Sequence, residues 1–330
     1  MKKTPDPSLM GISFIVIGAL NTDIIAAGVE RFPQPGEHVY GRELKIGPGG
    51  KSRNIAQMIA YLAGRDRVVM VGRTAKDSYG LWRVPVDALH QAGVNTKYLK
   101  TQSGNLFPGV ALIPVDEHGR NQIFVLPGAS NDFSPADIDD ATTAFTMASK
   151  NNGILLVTLE CPFPTAIHAM KKAAALGLRI LLDPGGIKSA IDGRALVPTE
   201  LFLIKPNEHE AKILTGVEVT DFATAGRAAR VLQSYGIKNV LITAGALGGY
   251  LFTDQVRKHI PAPLTATTSA NDETGCGDQT IAAFGAYIHR GRSVEEAAEL
   301  GIIAGTLQFQ TIGINPVKRE EIEGVYSRRA

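Results

Sequence analysis

The chain has 330 residues, of which 44% are apolar and 20% are charged, so it can bury a large core near the upper size of one compact domain. Its formal net charge is +2, and no run of Lys or Arg is long enough to follow a phosphate backbone, which argues against a nucleic-acid-binding face. The apolar runs are shorter than the roughly 20 residues of a membrane span, no signal peptide is evident, and Cys161 and Cys276 suggest neither a disulfide framework nor a metal cluster, so we expect a soluble cytoplasmic protein without membrane partners.

The N-terminal part of the chain contains strands of two kinds. Residues 13–17 form a short apolar run that is typical of a buried core strand. Two other segments, at about residues 36–47 and 105–127, instead alternate between apolar and polar residues, and the second contains a turn at residues 116–119. This pattern predicts a small antiparallel sheet inserted into a larger domain, where it would cover a site or pair with another subunit.

From about residue 153 onward, short apolar runs alternate with helical patterns, which predicts strand–helix–strand units and a parallel sheet covered on both faces. The predicted strands lie at residues 154–158, 179–182, 202–204 and 240–243. The predicted helices lie near residues 165–176, from residue 207 onward, at residues 278–289 and at about residues 294–309. We therefore treat residues 1–330 as a single α/β domain.

The stretch at residues 271–278 joins a turn of small residues to the start of a helix. Gly275 and Gly277 let the backbone approach an anion, which the first N–H groups and the positive dipole end of the helix can hold. Asp278 at this junction suits a base that takes a proton from an alcohol while charge builds on a transferred phosphoryl group. A Gly-rich loop with an Asp near a helix N-terminus also occurs without a function, so this stretch alone leaves both interpretations open.

A second glycine turn, Gly49-Gly50, leads into a helix that starts near Lys51 and carries Asn54. It is not a P-loop, because that motif needs a glycine where this chain has Lys45. Close backbone approach together with an ammonium and an amide suits a polar ligand such as a sugar. An ordinary Gly-rich helix start with a surface Lys and Asn is the alternative.

Further polar residues follow predicted strands at their carboxyl ends, where ligands of open α/β sheets bind. They are Asn21 and Asp23, Glu160, Asn207 with Glu210, and Thr243 with the glycine turn of Gly245 and Gly248. Ordinary turn chemistry also accounts for the first pair, and the spacing of a helix cap for Asn207 and Glu210. A nicotinamide dehydrogenase is excluded, because no Gly-x-Gly-x-x-Gly follows the first strand.

In chain order, these segments resemble the ribokinase/PfkB family of carbohydrate kinases over about residues 14–323. The signatures are Gly49-Gly50-Lys51 and Thr274-Gly275-Cys276-Gly277-Asp278, with further likeness at residues 109–113, 159–160 and 205–211. The resemblance implies a doubly wound, mostly parallel α/β sheet with helices on both faces and a small β-sheet lid. Lids pair in many members, so we expect a homodimer through the lid.

The resemblance also implies a role for each candidate residue. The sugar pocket would comprise Asn21, Asp23, Gly49, Gly50, Lys51, Asn54, Glu160 and Asp278. The ATP site would comprise Asn207, Thr243, Gly245, Gly248 and Gly277, with Glu210 organising Mg²⁺ through water. The anion hole would comprise Gly275, Cys276 and Gly277, with Asp278 as the general base. Asp272 and Thr274, and more weakly Gly313, match ligand positions of a monovalent cation, potassium.

Three residues depart from the family pattern. Arg53 stands where ribokinases carry a small residue, and it would either reach a substrate phosphate or face solvent. Ile302 and Gln308 stand where related enzymes tend to have a polar adenine-pocket residue and a small residue at the cation site. We expect an ATP-dependent kinase of a furanose hydroxymethyl group, ribose first. Kinases of nucleosides, fructose or sugar phosphates and a non-catalytic sensor are the alternatives.

Overall fold

The computed structural model describes residues 6–104, 106–187, 189, 191, 193–263 and 272–329. Within these ranges the strands form one large and one small sheet. The strands of the large sheet are β1 (Phe14–Ile17), β4 (Val68–Ala75), β5 (Asn95–Gln102), β8 (Ile154–Thr158), β9 (Arg179–Asp183), β10 (Leu201–Ile204), β11 (Ile237–Thr243), β12 (Gly249–Phe252) and β13 (Arg257–Ile260). The strands of the small sheet are β2 (Asn21–Val29), β3 (Glu43–Gly49), β6 (Gly109–Asp116) and β7 (Phe124–Leu126).

The large sheet has the strand order β13-β12-β11-β10-β9-β8-β1-β4-β5. All pairings from β11 to β5 are parallel, and β12 and β13 add an antiparallel edge. The predicted strand at residues 154–158 has these bounds in the structure, and the other predicted strands of the large sheet differ by one to three residues at one end. Because parallel strands end at the same edge, the polar residues that follow them are brought together there.

Helices cover both faces of the large sheet. They are α1 (Lys51–Ala63), α2 (Arg83–Ala92), α3 (Pro135–Asp140), α4 (Thr142–Lys150), α5 (Phe163–Ala175), α6 (Gly193–Leu196), α7 (Glu208–Thr215), α8 (Phe222–Ser234), α9 (Cys276–His289), α10 (Val294–Gln308) and α11 (Arg319–Ser327). Alternate residues of β1 enter opposite cores: Ile15 packs on the side of α4 and α5, and Val16 on the side of α1 and α9. Burial on both faces explains why β1 is apolar throughout.

The segment between α1 and β6 contains β4, α2 and β5, for which the sequence analysis offered no elements. Strand β4 is almost fully buried, and β5 is half-exposed and rich in polar residues, which weakens its pattern. Helix α2 carries Pro85 in its first turn, a position that tolerates proline. The strand–helix rhythm therefore extends through the N-terminal half of the chain.

The small sheet differs in two ways from the predicted antiparallel one. Its strand order is β3-β2-β6-β7, and β2 pairs parallel with β6, so the sheet is mixed. Strand β2 begins at Asn21, where a turn was predicted, and β3 begins only at Glu43. Strand β2 was missed because its residues 23–28 are all partly exposed and show no clear alternation. We call this small sheet the lid sheet.

No helix within the described part of the chain is both long and apolar enough to cross a bilayer.

Candidate active site

Helix α9 begins at the carboxyl edge of the large sheet, with Gly275 as its N-cap. Gly275 has a φ of 76°, in the left-handed region that favours glycine. Helix geometry leaves the N–H groups of Cys276, Gly277 and Asp278 without acceptors inside the helix. The Cys276 N–H donates instead to the Glu273 carbonyl at 3.3 Å. The amides of Gly277 and Asp278 thus remain for an anion at this helix end.

The carboxylate of Asp278 is only 3% exposed and is held on both oxygens. Its Oδ2 accepts a hydrogen bond from Asn54 Nδ2 at 2.8 Å. Its Oδ1 lies 3.2 Å from the Lys51 ammonium. The two glycine signatures, more than 200 residues apart, therefore meet at this carboxylate. Each oxygen keeps a lone pair for a hydroxyl donor, since a carboxylate offers about four acceptor sites.

Lys51 connects Asp278 to two further carboxylates. Its backbone N–H donates to Glu160 Oε2 at 2.8 Å, and its Nζ lies 3.9 Å from Asp183 Oδ1. Burial alone would lower the pKa of Lys51. The negative charges of Asp183 and Asp278 outweigh this effect of burial and hold the pKa well above its usual value. Burial raises the pKa of Glu160 to about 7 against the opposing effect of Lys51. Lys51 is therefore a permanent cation in the site.

A buried ion pair between Lys205 and Asp183 was not predicted. Lys205 is 2% exposed, and its Nζ lies 2.9 Å from Asp183 Oδ2. Burial would raise the pKa of Asp183, but the ammonium groups of Lys205 and Lys51 hold it below its usual value. A Cβ on Gly277 would lie 2.8 Å from Lys205 Nζ. Lys205 is thus a second cation, directly beside the start of α9.

The signal that could have revealed this pair is its position at strand ends. Asp183 is the last residue of β9, and Lys205 directly follows β10, the neighbouring parallel strand. The same reasoning was applied to Glu160 after β8. In the sequence, Lys205 stands out only as part of the family-like segment at residues 205–211.

Asn21 and Asp23 lie in β2 and face the glycine turn that precedes α1. A Cβ on Gly49 would lie 2.0 Å from Asp23 Oδ1, so only glycine permits this close approach. Gly50 caps α1. Burial raises the pKa of Asp23 to about 6, although the Arg53 guanidinium opposes this shift. The buried Oδ1 of Asn21 has no hydrogen-bond partner among the described residues, which leaves it an acceptor for a ligand.

Arg53 neither faces solvent nor presents a free guanidinium fork. Its side chain is fully buried, Nε donates to the Gly49 carbonyl at 3.3 Å, and the terminal nitrogens donate to Pro48, Asn54 and Gln57. Of the two alternatives offered for Arg53, exposure to solvent is wrong, and most of the donors that a substrate phosphate would need are already used within the chain. Arg53 ties the end of β3 to α1 and orients the amide of Asn54 towards Asp278.

The predicted nucleotide residues line a cavity of about 580 Å³ that also reaches Lys51, Lys205 and Asp278. Its lining includes Asn207, Glu210, Thr243, Gly245, Gly248, Gly275, Cys276 and Gly277. Ile302, Thr306 and Phe309 of the α10 region also line it, and of these only Ile302 was predicted to lie at the adenine pocket. The cavity is therefore lined by polar and charged residues together with the apolar side chains of Ile302 and Phe309.

The predicted cap at α7 is present. Asn207 Oδ1 accepts from the Glu210 N–H at 2.8 Å, and Glu210 Oε2 accepts from the Asn207 N–H at 2.9 Å. Burial, reinforced by Asp183, raises the pKa of Glu210. The capping pair uses only Oε2 of the carboxylate, and Glu210 is one of the residues that line the cavity. Capping and a ligand role are therefore compatible for both residues.

The residues predicted to hold a monovalent cation also come together. Asp272 accepts from the Thr274 N–H at 2.9 Å and from the Gly313 N–H at 2.7 Å. The beginning of this stretch, Asn271, lies outside the described residues.

Burial, with nearby carboxylates, raises the pKa of Cys276 to about 12, so its thiol is neutral. Within the described ranges, no group of three or more His, Cys, Asp or Glu side chains is arranged to hold a metal ion.

Comparison with known proteins identifies this arrangement. The family model of the pfkB family carbohydrate kinases matches residues 12–320. The chain belongs to this family. A ribokinase of Staphylococcus aureus is 31% identical over 91% of the chain and 94% of its own length. A deoxyribokinase of Salmonella typhi is 30% identical, covering 87% of the chain and 89% of the relative.

The solved structure of Arabidopsis thaliana ribokinase, complexed with ribose and ATP, has a TM-score of 0.83 and 27% identity over 96% of this chain and 98% of that one. The predicted fold is thereby confirmed. As a pfkB family carbohydrate kinase, the protein is a phosphotransferase with an alcohol group as acceptor. The role of each site residue remains a prediction.

Proposed function

We propose that this pfkB family kinase uses ATP to phosphorylate the hydroxymethyl oxygen of a furanose sugar, with ribose as the first candidate. The observation that carries the proposal is Asp278, a buried carboxylate that adjoins the polar residues near the lid sheet and the helix end facing the large cavity. Phosphoryl transfer to an alcohol requires a base that lies between the site of the alcohol and the site of the phosphoryl anion. The ribose and ATP held by the solved Arabidopsis relative support this proposal.

The sugar would bind between the lid sheet and α1. Asp23 and the unpartnered Oδ1 of Asn21 supply acceptors for hydroxyl groups, while Lys51 and Asn54 supply donors. Glu160 positions the start of α1 through the Lys51 N–H. A hydroxymethyl oxygen placed at Asp278 would donate its proton to the carboxylate as it attacks the γ-phosphorus. The bond from that phosphorus to the bridging oxygen breaks, and ADP leaves.

The residues of the cavity fit a nucleoside triphosphate. The apolar side chains of Ile302 and Phe309 in the lining suit a base. The amides of Gly277 and Asp278, together with Lys51 and Lys205, suit phosphate oxygens. Mg²⁺ bound with the nucleotide would neutralise phosphate charge. Glu210 would hold it through water, in line with the usual pattern of few protein carboxylates and several waters around Mg²⁺.

Two observations bear on the alternatives. Because most Arg53 donors are used within the chain, Arg53 offers a sugar phosphate no free guanidinium fork, which favours a neutral sugar. A non-catalytic sensor would not need a carboxylate held by both Lys51 and Asn54 beside the anion site.

The similarity to both a ribokinase and a deoxyribokinase makes 2-deoxyribose the second candidate sugar.

The proposal is tested by measuring ADP release with ATP and Mg²⁺ over ribose, 2-deoxyribose, fructose, nucleosides and the corresponding sugar phosphates. We expect the highest kcat/KM with a neutral pentose. Binding of these sugars without ADP release from any of them would support the sensor instead. A preference for a phosphorylated sugar would contradict the assignment of a neutral sugar as the substrate.

Asp23 leads to a prediction about pH and stability. Its pKa of about 6, against an ordinary value of 3.8, means that the folded protein favours the neutral carboxyl. The charged form therefore costs stability at pH values above 6, by at most about 3 kcal/mol, and this cost fades as the pH falls from 6 towards 4. We expect Asp23→Asn to melt at a higher temperature than the wild type at pH 8, with the difference narrowing by pH 5, and to bind ribose more weakly.

Thermal melts of both proteins at pH 5, 6, 7 and 8 check this prediction, with Asp254→Asn as an exposed control. An Asp23→Asn variant that melts below the wild type at pH 8 would show that the carboxylate stabilises the fold.

We further propose that the lid sheet pairs with that of a second copy. Ile46, Ile24, Leu112 and Phe124 lie opposite one another on neighbouring strands, so they form one row across the sheet. Phe124 is 57% exposed, and Ile46 and Leu112 are also exposed. A contiguous exposed apolar row is typical of an interaction surface.

We expect Phe124→Asp to convert a dimer into a monomer in light-scattering measurements, because it places a charge in the apolar row. The matched control is Val125→Asp, since Val125 is equally exposed but points to the opposite face of β7. A wild-type monomer, or equal effects of the two substitutions, would contradict pairing through this face.

A further inference from the structure

The last residue of α10 places a buried amide among oxygen atoms. Gln308 is 0% exposed, and its Nε2 lies 2.6 Å from the Gly313 carbonyl, 3.2 Å from Thr311 Oγ1 and 3.3 Å from the Thr274 carbonyl. The Thr311 hydroxyl donates its own proton to the main-chain carbonyl of Gln308 at 2.9 Å, so the hydroxyl oxygen is an acceptor for Nε2. Three acceptors around one atom require a donor, which fixes the nitrogen end of the amide in this position.

The other end of the amide agrees with this orientation. Gln308 Oε1 is buried and has no hydrogen-bond partner among the described residues, so the side chain is held through its nitrogen. A reversed amide would place Oε1 against two carbonyl oxygens, which is unfavourable in a buried site.

These oxygens belong to the segment that the family resemblance assigned to a monovalent cation. Thr274 and Gly313 turn their carbonyl oxygens towards Nε2 of Gln308. The Asp272 carboxylate is engaged with the N–H groups of Thr274 and Gly313. The residues present therefore do not fit a potassium ion at this point, because the partly positive amide nitrogen of Gln308 already has these oxygens as its neighbours.

The amide also lies against the start of α9. A Cβ on Gly275 would be 3.9 Å from Gln308 Cδ, and the Gln308 hydrogen bond to Thr274 holds the residue that precedes Gly275. By linking Thr274 to Gly313, Gln308 braces the turn that presents the amides of Gly277 and Asp278. A bound cation would brace the same turn through the same carbonyl oxygens.

We propose that the Gln308 side-chain amide takes the place of a monovalent cation beside the anion site, so that, given the proposed kinase function, the protein needs no potassium. Gln308 acts as a positioning residue: it contacts the turn and not the substrate. The amide is part of the chain, so it stays in place when the salt is exchanged, unlike a bound ion. The shape of the turn is therefore independent of the ions in the solution.

The test compares potassium chloride with choline chloride at equal ionic strength and pH 8, with melting temperature as the primary readout and kcat as the second. The wild type should melt within about 1 °C in the two salts and keep its kcat within about 1.5-fold. Gln308→Ala vacates the position, and Gln308→Glu replaces the amide with an oxygen ligand of nearly the same shape. Both variants should melt several degrees higher in potassium chloride, because a cation that binds only the folded state stabilises it.

Gln91→Glu on the surface of α2 is the matched control and should not respond to potassium. The proposal would be overturned if potassium raised the melting temperature of the wild type as much as that of Gln308→Ala. It would also be overturned if potassium left the melting temperatures of both Gln308 variants unchanged. The melting readout does not depend on catalysis. A protein that shows the expected melting pattern but releases no ADP would contradict the proposed function and leave the role of Gln308 standing.

Discussion

Replacing Asp278 with Asn is expected to lower kcat about 10²- to 10⁴-fold, the usual contribution of a positioned general base. Asn has the same shape but cannot accept the proton of the attacking hydroxyl. The substitution also removes the charge that faces the Lys51 ammonium at 3.2 Å. Steady-state ADP release with ribose or the preferred pentose measures the effect.

Three controls make the Asp278 result specific. Calorimetric titration with the sugar and with ATP should show that both still bind, and the melting temperature should show that the variant folds. The exposed carboxylate Asp254, changed to Asn in the same way, should leave kcat unchanged. Near-normal turnover of Asp278→Asn would reject this residue as the base.

Replacing Lys205 with Met is expected to lower kcat about 10²- to 10³-fold, because it removes a preorganised positive charge beside the amides of Gly277 and Asp278. It should also destabilise the fold by about 3–5 kcal/mol, since Asp183 would remain buried and, among the described residues, would keep Lys51 at 3.9 Å as its one counter-charge. Denaturant unfolding and steady-state kinetics measure the two effects separately.

A double variant separates catalysis from stability in this pair. Lys205→Met combined with Asp183→Asn removes both charges, so it should recover most of the lost stability but not the lost turnover. Lys212→Met is the control for removal of an exposed lysine, whose pairing with Glu218 is worth at most about 1 kcal/mol. If the double variant regains turnover together with stability, Lys205 has only a structural role.

Much of the fold could be predicted because its elements carry local signals. The buried strands β8 and β9 are short apolar runs, and helix α10 begins with the Ser293–Glu296 capping box that its sequence indicates. The N-terminus of α9 was found from its glycines and Asp278. Such signals need only a few neighbouring residues to be recognised.

The missed parts depend on contacts between distant segments. Lys205 and Asp183 are 22 positions apart, and only the pairing of β9 with β10 brings them together. Gln308 finds its oxygen neighbours because α10 ends beside the loop that begins α9. Arg53 looked like a ligand or a surface residue, because the sequence does not reveal the carbonyl groups of Pro48 and Gly49 that surround it. Long-range packing of this kind cannot be read from local pattern.

The most direct test of the proposed function is the position of the phosphate on the product. The purified protein should be incubated with ATP, Mg²⁺ and ribose, and the product analysed by ³¹P–¹H correlation NMR. A correlation from the new phosphorus to the two protons of the hydroxymethyl carbon is the expected result. A phosphate on the anomeric oxygen, or no phosphorylated sugar from any pentose, would contradict it.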